Sequence, residues 1–271
     1  MRIGAPEAQG FWHNLYVQEN RITRLINQLA TARRLVSSNV DVAGTTIAQR
    51  LRARVEGYQQ ALNNIYDGIG MLRTAEGGVQ AIQGSLSRMR ELLVQASNST
   101  LTAQDRATIQ EEINQLVRHI RETVQNTEYN NQQLLAGGVQ DMALQAGASP
   151  DQKLYIAIPN LTPEELNITE IDVSTPENAT EALNSVDQAI EVVSGTASMI
   201  GGYTNRLERA AESVANALTN LTASLSRIED MDMAKGVVDL LRMELLRNST
   251  TAMLSQMNVN ASNVMQLLGN T

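Results

Sequence analysis

The side chains that most often carry chemistry are sparse in this chain and poorly spaced for it. The only histidines are His13 and His119. They lie far apart, in neither metal-ligand nor triad spacing, and read as surface or interface packing. Cysteine is absent, which excludes disulfides, thiolate metal sites and cysteine nucleophiles. The acidic run Glu229-Asp230-Met231-Asp232 could attract a cation, but it lacks the ligand spacing and the glycine of a calcium loop. Carboxylates near a helix start are favoured by the helix dipole in any case. The glycine pairs Gly77-Gly78, Gly137-Gly138 and Gly201-Gly202 follow no strand and precede no Lys-Ser/Thr, so they are not phosphate loops. The Arg33-Arg34 pair and the Arg50, Arg52, Arg54 group sit in a chain of formal net charge −8. They read as a solvated face or intersubunit pairing and not as a nucleic-acid site. Asn-x-Ser/Thr triplets begin at Asn98, Asn160, Asn167, Asn178, Asn220, Asn248 and Asn260. Most fall in predicted helices and read as composition. No catalytic, cofactor or metal site is expected.

What the chain has instead is long apolar periodicity. From Ala43 to Ala96 the apolar positions are Ile47, Leu51, Val55, Tyr58, Leu62, Ile65, Ile69, Leu72, Ala75, Val79, Ile82, Leu86, Met89, Leu93 and Ala96. Steps of three and four alternate almost without a break, which predicts an amphipathic helix with a narrow coiled-coil seam. Such a helix is on the order of 80 Å long and needs long partners. Hydrophobic residues make up 42% of the chain but aromatic residues only 3%, so aliphatic side chains must do the packing, which suits long helices meeting along narrow seams.

Around that stretch, helical spacing runs from Phe11 to about Leu35, with Gly4, Pro6 and Gly10 opposing helix before it. A break at Ser37–Asp41 includes a fresh N-cap. A bend or close helix contact is expected near Gly77. A second helix follows Thr102, where Thr102 and Asp105 suggest a capping box, and runs to about Thr127, antiparallel to the first. The segment from Val139 to Thr175 is β-prone, with one strand over Lys153–Ile158 and a second around Ile168, Ile171 and Val173. A second long seam runs from Ala182 to Ile228, and a last helix from Met233 to Leu268. The Met- and Leu-rich last helix reads as a partner-packing helix more than a membrane-surface one. No run is long enough to span a bilayer, and Met1–Asn20 does not have the pattern of a secretory signal peptide. The long helices pair only if the chain folds back, which brings both termini to one end and sets the β element towards the other. The expected fold is mainly α: an elongated antiparallel long-helix bundle or coiled coil, with a small β-hairpin element and helical termini. Residues 1–42 and 231–271 form the terminal part. Residues 43–230 form the rod, with a β-rich insert at about 139–175.

Several linked motifs resemble the bacterial flagellins. They are Thr74-Ala75-Glu76-Gly77-Gly78, Arg88 through Asn98, Asp105-Arg106 with Ile109 through Leu116, and Thr127 through Leu135. Near the other end they are Ser226 through Lys235 and Thr251 through Leu254. The likeness spans both ends and most of the chain. There are departures: Gly4-Ala5-Pro6-Glu7 replaces the family's Asn-rich start, and Leu29-Ala30-Thr31-Ala32 replaces its Leu-Ser-Ser-Gly run. Only about Gly137 to Thr180 separates the two halves, which leaves no room for large outer domains.

The resemblance implies a structural subunit of the flagellar filament. It would be exported unfolded through the type III apparatus without a cleaved signal, and would assemble into a helical tube through its terminal helices. These helices would be disordered in the free monomer and form the inner filament layer. The implied partners are copies of itself, an export chaperone at the C-terminal helix, hook-associated and cap proteins, and the animal toll-like receptor for flagellin. Nucleic acid and membrane insertion are not implied. By position, the receptor-recognition or subunit-interface residues are Arg88, Leu92 and Glu112, with Arg90 and Glu91 beside them. The implied location is extracellular, with a periplasmic filament as the other destination. The alternative is a hook–filament junction protein, against which the Asp230-Met231-Asp232-Met233-Ala234-Lys235 signature argues. A helical-bundle enzyme would need inward-facing Glu/His pairs, and these seams are apolar.

Overall fold

The computed structural model describes residues 5–36 and 41–269. Among these it has α1 (Ala5–Thr31), α2 (Val42–Ala96), α3 (Ala103–Asn126), α4 (Pro176–Glu229) and α5 (Met233–Gly269). Four short strands lie between α3 and α4: β1 (Glu128–Tyr129), β2 (Gln132–Gln133), β3 (Met142–Gln145) and β4 (Lys153–Ile156). The chain packs as two compact units, one of Met1–Arg54 with Asn220–Thr271 and one of Val55–Thr219.

In the second unit the seam does what its spacing predicts. Ile65, Ile69, Leu72, Ala75, Val79, Ile82, Leu86, Met89, Leu93 and Ala96 are all buried. They share one continuous core with Ile109, Ile113 and Ile120 of α3 and Val186, Val193 and Leu207 of α4. Arg90 meets Asp187 (2.7 Å), Gln83 meets Ser194 (3.3 Å) and Arg73 meets Glu208 (3.9 Å). Partner numbers fall on α4 as they rise on α2, so the two helices are antiparallel. The close contact expected near Gly77 is at its neighbour. A Cβ on Gly78 would lie 2.6 Å from Thr127 Oγ1 and 2.7 Å from Leu135 Cδ1, whereas Gly77 faces open space.

The β elements differ from expectation. β1 and β2 form a two-residue hairpin around Asn130 and Asn131, both left-handed (φ 51° and 60°), as a turn of the I′ type requires. β4 pairs antiparallel with β3, in the register Met142–Ile156 to Gln145–Lys153. It does not pair with the stretch around Ile168–Val173, which is no strand. That stretch buries Ile168, Ile171 and Val173 and lends its backbone to one side chain: Gln110 Nε2 donates to Ile171 O (2.7 Å) and Gln110 Oε1 accepts from Val173 N (2.9 Å). The β3–β4 hairpin also lies where the chain enters and leaves this unit, and not at the far end. Asn64 Nδ2 reaches Gln145 O at 3.3 Å, and Ala148 lies against Gly57. The α2–α3 turn occupies the opposite end because α2 runs its whole length before reversing.

Pro6, expected to oppose helix, lies at a helix start instead, and Pro176 starts another. Pro6 is the second residue of α1 and Pro176 the first of α4, where the missing N–H costs nothing and the fixed φ fits. Thr175 Oγ1 accepts from Asn178 N (3.2 Å) to cap α4. The helix start at Ala5 and its end at Thr31 therefore replace the expected span from Phe11 to about Leu35.

In the first unit α1 packs on α5, but the described core is thin. Its buried apolar side chains are Ile22, Ala48 and Leu254. Asp41 caps α2 by accepting from Gly44 N (2.8 Å). The rest of the break expected at Ser37–Asp41 lies outside the described residues.

Candidate functional site

The α2–α3 turn positions the residues singled out by resemblance. Thr102 caps α3: its hydroxyl accepts from Asp105 N (3.2 Å), and Asp105 Oδ2 accepts in return from Thr102 N (3.1 Å). Together they satisfy donors that a helix start leaves free. The Thr102 hydroxyl also donates to Asp105 Oδ2 (2.7 Å), and this bond first, then the one from Thr102 N, holds the Asp105 carboxyl below its usual range. Arg106 is buried and turns its guanidinium back onto the end of α2, donating to Ala96 O and to Asn98 O (3.1 Å). A cation placed on orphan carbonyls is what a helix C-terminus favours. Arg106 thus closes the turn and fixes the relative height of α2 and α3.

At that height Arg88 of α2 faces Glu112 of α3. Its Nε and Nη2 donate to Glu112 Oε1 at 2.9 and 2.7 Å, and Nη1 donates to Glu91 Oε2 at 3.1 Å. The bond to Glu112 contributes most to holding the guanidinium pKa above its ordinary value. All three side chains are well exposed, so they form a fixed, solvated patch of mixed charge. Arg90 points to another partner, donating to Asp187 Oδ1 of α4 at 2.7 Å. Leu92 does not join the patch. It is only 2% exposed and lies in the core, because the core stripe widens near the turn to take both Leu92 and Leu93. The structure therefore brings together Arg88, Glu91 and Glu112 and sets Arg90 and Leu92 apart from them. The Arg106 clasp and the Gln110 bridge had no roles in the sequence reading. Their signal is a polar residue interrupting the buried rows of α3.

Nothing at the patch is a nucleophile or a proton shuttle. Among the described residues no group of three or more His, Asp or Glu side chains is placed to hold a metal ion, and no helix is long and apolar enough to cross a membrane. The acidic run resolves into structural parts. Glu229 ends α4, Asp232 Oδ1 caps α5 by accepting from Lys235 N (3.1 Å), and Glu229 is ion-paired with Arg33 and Arg52. Two arginines from the clusters read as solvated or intersubunit are thus paired within the subunit.

A family model for the bacterial flagellin N-terminal helical region matches residues 9–140, and one for the C-terminal helical region matches residues 183–268. The chain belongs to the bacterial flagellin family. A flagellin of Halalkalibacterium halodurans is 34% identical, the match covering 94% of each chain. Flagellin FlaB2 of Treponema pallidum is 32% identical, with 94% of this chain and 93% of that one covered. The crystal structure of Bacillus cereus flagellin shares the fold at a TM-score of 0.52 and 24% identity, over 60% of this chain and 94% of that one. The protein is a structural subunit of the flagellar filament and self-assembles into it. The hook–filament junction alternative has no better support.

Proposed function

We propose that this flagellin is exported unfolded and polymerises outside the cell. Residues 1–42 and 231–271 form the inner layer of the tube, and residues 43–230 the layer around it. The observation that supports this is the open seam of α5. Val238 is 64% and Leu245 70% exposed, and Leu241 and Met253 are also bare. Apolar surface on this scale is removed from water by neighbouring copies. Before assembly the same surface suits an export chaperone, and in the finished filament it meets hook-associated and cap proteins at the ends. The terminal helices gain their order on assembly. A chain without cysteine passes through an export channel with no disulfide to trap it. The protein has no catalytic role.

Electron microscopy of the monomer after raising concentration or salt tests assembly: long filaments are expected, and short or absent assemblies would favour the junction reading. Protease treatment of intact cells tests location. Digestion is expected, and full protection would place the filament in the periplasm. The patch of Arg88, Glu91 and Glu112, with Arg90 nearby, is the surface offered to neighbouring copies and to the animal toll-like receptor. Leu92 contributes to it through packing. In a receptor reporter assay the monomer is expected to respond, and Arg88→Ala to weaken the response. No response to either protein would remove the receptor role.

A further inference from the structure

The two units carry opposite charge. Residues 1–54 with 220–271 hold 12 Lys and Arg against 8 Asp and Glu, and residues 55–219 hold 9 against 21. Pairing inside the subunit sharpens the contrast. In the first unit the early turns of α2 set Ile47, Arg50 and Arg54 at i, i+3 and i+7, on one face of the helix. Ile47 is 49% exposed, and both arginines are exposed. Glu229 takes up Arg33 and Arg52, whereas Arg50 and Arg54 have no ion-pair partner among the described residues. The result is an apolar side chain edged by two unspent cations.

The α2–α3 turn end of the second unit has the opposite character. Its cations are Arg88, Arg90 and Arg106. Arg88 is held by Glu91 and Glu112, Arg90 by Asp187, and Arg106 lies buried on backbone carbonyls. Glu111, Glu170, Glu177, Glu181 and Glu191 are exposed, and none of them has an ion-pair partner among the described residues. Val94, in the last turn of α2, is 51% exposed. This end therefore offers an apolar side chain among carboxylates, with its own cations already engaged.

We propose that Ile47, Arg50 and Arg54 of one copy dock on the acidic α2–α3 turn end of a second copy, within the layer of residues 43–230. The occupant is a second copy because one chain carries both halves of the charge match. The two halves are different surfaces, so the contact is heterologous and repeats head to tail, as an open filament requires. Opposite charges favour that direction of addition, and like charges disfavour pairing the same ends. The inference rests on self-assembly, and it adds to the open α5 seam a contact that selects direction. It forms as the copies assemble and asks no order of the terminal helices in the free subunit.

Critical concentrations of the full-length chain, measured by sedimentation of filaments grown from each protein's own seeds, test it. The pair Glu177→Lys and Glu181→Lys is expected to raise the critical concentration at least about tenfold, and so is the pair Arg50→Glu and Arg54→Glu. A chain with all four changes matches swapped with swapped, and is expected to return to within about threefold of wild type. Arg50→Gln with Arg54→Gln is expected to raise the value about threefold or more, and carries the test if a reversed pair does not fold. Unchanged values in both reversed pairs would overturn the contact. So would a four-change chain that assembles no better than either pair, or an Arg50→Gln, Arg54→Gln chain that assembles like wild type. Absence of filaments from the wild-type chain would instead refute assembly itself, and this contact with it.

Discussion

Residues 65–96 of α2 and the α5 helix both carry rows of aliphatic side chains at helical spacing, and the subunit treats them in opposite ways. The first row is enclosed by α3, α4 and the return segment through Ile168–Val173. The second, from Val237 to Met253, is largely bare. What decides between them is the number of helices the chain supplies as cover. Two helices and a loop close the first seam. For α5 the packing partner is α1, whose own Trp12, Tyr16 and Ile26 remain exposed. A seam of the same kind is thus a finished core in one unit and an interface in the other.

The largest expected effect contrasts the two directly. Leu86→Ala empties a fully buried site and is expected to cost about 2–5 kcal/mol in urea unfolding of the monomer. Leu245→Ala removes an exposed side chain and is expected to stay within about 0.5 kcal/mol, yet to raise the concentration needed for filaments. Equal losses of monomer stability would break the comparison.

Adjacent glycines give a finer contrast. Gly78→Ala pushes a methyl into Thr127 and Leu135 and is expected to destabilise by about 1–3 kcal/mol. Gly77→Ala meets nothing and is expected to stabilise α2 by about 0.5–1 kcal/mol. Thermal unfolding of both variants checks the pair.

In the thinner unit the telling residue is Ala32. It ends α1 in the left-handed region (φ 53°), with Ala32 N bonded to Leu29 O and Arg33 N to Gln28 O. That is a Schellman cap, and it normally takes glycine at this position. Ala32→Gly is expected to relieve about 1 kcal/mol of strain. It should slow exchange at the end of α1 and leave residues 65–124 unaltered.

The smallest expected effect is acid sensitivity in the closed unit. The Asp105, Glu164 and Asp172 carboxyls are held below their usual range, chiefly by the Thr102 hydroxyl, by Arg121 and by the Ser174 amide respectively. A carboxyl whose folded pKa is depressed stabilises fully above its unfolded value, roughly 3.9 for Asp and 4.3 for Glu, and loses that contribution as pH falls through the folded value. Stability of residues 55–219 is therefore expected to be flat above about pH 5 and to decline below about pH 4. All three groups are exposed, so the decline should be shallow. Unfolding midpoints measured across that range check it.

Much of the helical fold was legible because a repeating three-and-four spacing has one economical solution, and the rows from Ile65 to Ala96 and from Val186 to Val214 follow it. The capping box at Thr102 and Asp105 was legible for the same local reason. The β3 strand was not. Met142-Ala143-Leu144-Gln145 has little β-branched character, and its pairing with Lys153–Ile156 is fixed by the hairpin and by its seat on Asn64 and Gly68. Ile168–Val173 misled in the opposite direction, since its apolar residues serve a core that needed no second strand. At the candidate patch the sequence supplied Arg88, Glu91 and Glu112. The burial of Leu92 and the turn of Arg90 towards Asp187 depend on how close α3 and α4 lie, which no local pattern encodes.

By itself, then, the sequence determined the helices, their seams, the absence of thiol chemistry and the family. Those follow from short-range spacing and composition. Tertiary structure alone decided which seam is closed, where the hairpin sits, and that Glu229 of the acidic run answers Arg33 and Arg52. Burial and charge pairing are set by neighbours that lie some twenty to two hundred residues away along the chain.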